Sequence, residues 1–145
     1  MRTALGFALV LALLGSACGN DTATPVAPTT TTTPPCPCTE TFASAVAPSG
    51  TTSHSFVATQ AGSVAITLAS SGPPTNVTLG VGIGIPTLSS TTPGCNLSTA
   101  INTAPGSTPQ LTVPVDAGAF CVKVFDPGGP PLGAQAFFSL TISRP

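Results

Sequence analysis

Between residues 40 and 143 the apolar positions recur with a period of two. Val64, Ile66 and Leu68 alternate with Ala65, Thr67 and Ala69, the signature of a strand with one buried face. From Asn76 to Ile85 the alternation is cleaner still: Val77, Leu79, Val81, Ile83 and Ile85 share one face, and Thr78, Gly80, Gly82 and Gly84 share the other. Further strands are expected at Glu40 to Val46, Thr51 to Thr59, Leu111 to Val115, Phe120 to Phe125 and Phe138 to Ile142, and Cys95 to Ile101 reads as a weak strand or an extended loop. Pro114 marks the Leu111 strand as an edge or a bulged one, because proline cannot donate to a ladder. Turn signals fall at Pro48-Ser49-Gly50, Gln60-Ala61-Gly62, Ser70 to Thr75, Pro86 to Gly94, Asp116-Ala117-Gly118 and Asp126 to Gly133. Seven or eight short strands with a turn about every eight to twelve residues predict an all-β, two-sheet antiparallel sandwich.

Composition narrows this further. Seventeen prolines and fifteen glycines among 145 residues would interrupt helices too often. The apolar residues are mostly Val, Ile, Leu, Ala and Phe interleaved with Thr and Ser, a mixture that suits a pleated, half-buried surface. With three basic and four acidic side chains in the whole chain, nothing forms a basic patch to neutralise phosphates, so nucleic acid is excluded as a partner.

The amino-terminal third follows a different pattern. Arg2 precedes an apolar run from Ala4 to Leu14 that is too short to span a bilayer. Leu14-Gly15-Ser16-Ala17-Cys18 closes it, and polarity begins at Gly19-Asn20-Asp21. This stretch resembles the lipobox of bacterial lipoproteins, with Gly15 standing where that family favours a large aliphatic residue. The resemblance implies a signal peptide over 1–17, cleavage before Cys18, and a diacylglyceryl group on its thiol with further acylation such as palmitate on the new amino terminus. More than one acyl chain matters, because a single one anchors only marginally. Residues 18–39 then form the lipidated terminus and a linker of Thr, Pro and Ala, with an unbroken Thr29 to Thr33 run. A segment so poor in large apolar groups cannot offset its ordering entropy, and a disordered, semi-rigid spacer is expected. Extended, its seventeen residues from Gly19 to Pro35 would reach roughly 50 Å at ~3.1 Å each.

Residues 40–145 make the expected domain. The succession Ser53-His54-Ser55-Phe56, Gly62 to Leu68, Asp116 to Val124 and Phe138 to Ile142 resembles the bacterial pre-peptidase C-terminal domain. That family is a jelly-roll-like β-sandwich appended to secreted proteases and other exported proteins. Some of its members bind calcium or grip substrate through aromatics, but Glu40, Asp116 and Asp126 are too sparse to carry over a calcium site.

Five cysteines become an even set of four if Cys18 is acylated, with three possible pairings. Cys95 with Cys121 is the favoured bridge, which on the chain-entropy estimate stabilises by about 3.5 kcal/mol. Cys36 and Cys38 either pair with each other in a small ring or reach separate partners in the domain. A thiolate metal site would need better spacing than Cys-Pro-Cys beside a single histidine, so neither metal nor cofactor is expected. His54 is the lone imidazole, flanked by Ser53 and Ser55, and any of several hydroxyls could satisfy it without catalysis. Asp116 and Asp126 bound one strand about 30 Å long, too far apart for paired-carboxylate chemistry. Trp and Tyr, the usual sugar platforms, are absent. Among the phenylalanines, Phe56, Phe120, Phe125 and Phe138 are readily spent on the core, leaving Phe137 as the exposed candidate. A binding module predicts a contiguous exposed patch, on the Gly80–Gly84 stripe or on the Asp126 to Gly133 tip. The expectation is a non-enzymatic, lipid-anchored protein of the bacterial cell envelope, in the outer membrane and facing periplasm or surface. It would display a binding or adhesion module for an envelope protein or glycan. The alternatives are a structural envelope protein, or an accessory to secreted peptidases or polysaccharide binding.

Overall fold

The computed structural model describes residues 37–87, 94–128 and 132–145. The expected signal peptide over 1–17, Cys18, the expected linker up to Cys36, and parts of the 86–94 and 126–133 connections lie outside the described residues. Eight strands follow one another: β1 (Cys38–Val46), β2 (Thr51–Ala58), β3 (Gly62–Gly72), β4 (Leu79–Thr87), β5 (Gly94–Thr103), β6 (Leu111–Val115), β7 (Gly118–Phe125) and β8 (Ala136–Arg144). They form two four-stranded sheets, ordered β1-β8-β3-β6 and β2-β7-β4-β5. All pairings are antiparallel. First pairs with last, second with seventh, third with sixth and fourth with fifth, which is the nested order of a jelly roll. The all-β sandwich expected from the period-two pattern is the fold.

Inward-facing aliphatics of both sheets make one core. Val64, Ile66, Leu68, Leu140 and Ile142 from the first sheet meet Leu79, Val81, Ile83, Val122 and Val124 from the second, as alternation requires of packed sheets. Phe56 and Phe138 are buried there, and Phe42 and Phe120 pack against them. β6 is the short edge strand that Pro114 foretold. Beyond its end, the Leu68 N–H donates to Gln110 Oε1 at 2.7 Å and the Leu68 carbonyl accepts from Gly106 N–H at 2.9 Å. The 104–110 connection thus covers the part of β3 that β6 does not reach.

Two expectations about β4 and β7 need correction. Ile85 is not buried in the core beside Ile83; it is 52% exposed. It lies past Gly84, the last residue of β4 that pairs with β7. The register with β5 also shifts between Ile83 and Gly84, so that Ser98 is the extra residue of a bulge on β5, which turns over the side chains of that strand on either side of it. Phe125 is not core either. Val122 and Val124 hold the inward positions of β7, and alternation puts Phe125 on the outer face, against Gly80.

Candidate functional site

The outer face of the first sheet carries the most exposed aromatic group among the described residues. Phe137 sits on β8 between Ala45 of β1 and Gly72 of β3 in the strand register. Neither neighbour has a side chain long enough to shield the ring, and Phe137 stays 59% exposed. Its flank, with Ala43, Ser44, Ala45 and Phe138, lines a shallow groove of about 400 Å³ with mostly apolar walls. Directly behind it, Phe138 points inward and is buried. The pair shows period-two placement acting on two identical side chains: one becomes core, the other is left in water. Phe137 is the exposed candidate singled out from the sequence.

The glycine stripe is not open to a ligand. Gly80, Gly82 and Gly84 are all buried on the outer face of β4. A Cβ at Gly80 would meet the Phe125 ring, one at Gly82 would come within 2.7 Å of the Thr99 carbonyl oxygen, and one at Gly84 would meet the backbone of Asn96. The missing side chains make room for the chain's own neighbouring strands, a close backbone approach of the kind interior strand glycines mark.

The Asp126 tip is likewise turned on itself. Asp126 Oδ2 accepts from Ser49 N–H at 2.8 Å and from Leu132 N–H at 3.1 Å, while Oδ1 accepts from Gly128 N–H at 3.0 Å. Its own N–H donates to the Gly50 carbonyl. One carboxylate therefore ties the β1–β2 turn to the β7–β8 connection and directs Leu132 into the core. The bonds to Ser49, Gly128 and Leu132 hold the Asp126 carboxyl below the usual carboxylate range, that to Ser49 contributing most.

His54 has a carboxylate neighbour that no spacing along the chain assigns to it. Its Nε2 lies 3.6 Å from Glu40 Oε1, and Glu40 Oε2 lies 3.5 Å from Arg144 Nη2. The imidazole stacks on Phe42 with ring centroids 5.0 Å apart. Arg144 Nη1 also donates to the Val57 carbonyl on β2. β1 and β2 are edge strands of opposite sheets, so the cluster bridges the two layers along one open side of the sandwich. Ser53 and Ser55 precede and follow His54 in β2 and so point to the opposite face. The arrangement offers charge and hydrogen-bonding across a seam; a nucleophile in line with the imidazole is not among its members. Glu40 Oε1 itself is buried with no hydrogen bond among the described residues.

No protein-family model matches the chain, and no curated protein matches it.

The cysteines complete the inventory. Cys95 and Cys121 are bonded, with Cα atoms 5.8 Å apart. They lie on β5 and β7, the strands that flank β4, so the bridge ties across the strand that carries the glycines. Cys38 is also disulfide-bonded; Cys36 lies outside the described residues. Among the described residues no group of three His, Cys, Asp or Glu side chains is gathered to hold a metal ion.

Proposed function

We propose that this chain is a lipid-anchored protein of the bacterial cell envelope whose jelly-roll domain is a binding or adhesion module without catalysis, engaging another envelope protein through the outer face of β1 and β8. The observation that carries the reading is Phe137, an aromatic ring left in water above an apolar groove on a sheet otherwise faced with hydroxyls and methyls. A ring without a polar tip favours an apolar protein side chain over the hydroxyl-rich edge of a sugar. The anchor rests on the Leu14 to Cys18 lipobox resemblance, and the likeness to the pre-peptidase C-terminal domain rests on strand patterning. Both agree with an exported, disulfide-bonded sandwich.

The test is a photo-reactive residue at Ser139, next to Phe137 on the outer face of β8, activated in whole cells. The expected result is a covalent adduct with one envelope protein that disappears in Phe137→Ser. Because Phe137 is exposed, that substitution should change stability by no more than about 0.5 kcal/mol, so loss of the adduct reports binding. No adduct, or an adduct indifferent to Phe137→Ser, overturns the binding reading.

A further inference from the structure

Each sheet of the sandwich ends in two edge strands, and a bare edge is a template for pairing with another chain. Among the described residues, three of the four edges carry charged side chains, a proline or a covering connection against it. β1 and β2 share the inward-pointing Glu40, His54 and Arg144, and Arg144 occupies the Val57 carbonyl of β2. β6 is five residues long and contains Pro114, and the 104–110 connection covers the strand behind it. β5 differs. It runs ten residues, Gly-Cys-Asn-Leu-Ser-Thr-Ala-Ile-Asn-Thr, with no charge and no proline. Its neighbour β4 has no charged residue either. In a chain with so few ionic groups, those of the strands are gathered at the opposite side of the sandwich, apart from Lys123 on β7.

The one interruption in β5 is the bulge at Ser98, after which Thr99 to Thr103 pairs without a break against Leu79 to Ile83. Beside the bulge, between β5 and β6, the sandwich opens into a cleft of about 150 Å³ lined by Ile83, Val113, Val115 and Phe120 among others. An edge with an unbroken five-residue ladder thus lies next to apolar walls that are open to water.

We infer that β5 is a self-association edge, pairing antiparallel with β5 of a second copy of this chain and continuing the β2-β7-β4-β5 sheet across a two-fold axis. Antiparallel pairing of a strand with itself is isologous, each residue meeting its mate in both directions. Centred on Ile101, it sets Thr99 opposite Thr103 and Ala100 opposite Asn102 of the partner strand. These are small or hydrogen-bonding cross-strand pairs with no like charges to oppose contact. The partner strand would also shield the flank of the apolar cleft. This contact is on the opposite sheet from Phe137 and is independent of what that ring binds.

The experiment places a photo-reactive residue at Asn102 in the purified full chain, in detergent and in cells, with a control probe at Thr141 on the outer face of the other sheet. The expected product is a homodimer whose cross-link maps to residues 98–103 of the second copy, lost when Thr99→Lys puts a charged side chain on the pairing edge of each copy, the device that natural edge strands use against such pairing. Thr99→Lys should keep the wild-type melting temperature, because Thr99 is exposed. Phe137→Ser should leave the dimer intact. The inference is overturned by monomer alone, by a cross-link to a different polypeptide, by equal dimer from the Thr141 probe, or by a dimer that survives Thr99→Lys.

Discussion

At the scale of single residues, this protein turns on where a side chain is missing and where one carboxylate is satisfied. Gly84 faces the backbone of Asn96 so closely that no Cβ fits, whereas Gly133 has nothing within 4 Å of the same position. Gly84→Ala should therefore destabilise by roughly 1–3 kcal/mol, the usual cost of overpacking, and Gly133→Ala should leave the denaturation midpoint unchanged. Gly80→Ala should be rescued in part by Phe125→Leu, since the obstacle there is a ring. Asp126 has the other decisive side chain. Its carboxyl is held below its ordinary value by three backbone N–H bonds, so its contribution is present above the unfolded-state value and disappears as pH falls through the lowered folded one. Protection factors for amide exchange at Ser49, Gly128 and Leu132, taken against the intrinsic rate at each pH, should thus fall on acidification below the usual carboxylate range, and Asp126→Ala should show the lowered protection already at neutral pH. The glycine stripe was visible in the sequence, but its meaning was not, because a period of two says which residues share a face and nothing about what lies over them. Phe125 was misassigned for the opposite reason: its own strand's alternation with Val122 and Val124 contained the answer, and the size of the side chain argued against it.

At the scale of elements, strands were legible and their partners were not. Every expected strand exists, with ends displaced by one to a few residues, because alternation of β-branched and small polar residues is local information. The contact between Glu40 and His54 joins β1 to β2 across two sheets, and no spacing rule along the chain encodes it. Its role follows from the edge it occupies. Arg144→Leu should cost little stability, as expected of partly exposed ion pairs, yet it frees the Val57 carbonyl and removes a charge guarding β2. The expected outcome is a raised tendency to aggregate, read by light scattering during refolding, with a midpoint within about 1 kcal/mol of wild type. The Cys95–Cys121 bridge joins elements 26 residues apart in sequence. Replacing both cysteines by alanine should lower stability by about 3.5 kcal/mol on the loop-entropy estimate, measured by denaturant titration.

At the scale of the whole molecule, the described residues form a sandwich of nested long-range pairings, and on the lipobox resemblance its attachment would depend on Cys18. Cys18→Ser should move the protein from the membrane fraction to the aqueous fraction of fractionated cells, since no described helix is long and apolar enough to cross a bilayer and acyl chains would supply the affinity. Mass spectrometry of the mature amino terminus checks the same point. The period of two, the density of glycine and proline, and the poverty of charge were enough by themselves to determine an all-β sandwich with Phe137 outside its core. Composition and periodicity are properties of neighbours along the chain, and burial of one strand face follows from them. The jelly-roll order, the closing of the glycine face, the exposure of Ile85 past the end of the β4–β7 pairing, and the grouping of Glu40, His54 and Arg144 on one guarded side were decided only by tertiary structure. Each of these depends on which strands lie side by side, and that is chosen by the packing of the entire core rather than by any one stretch of it.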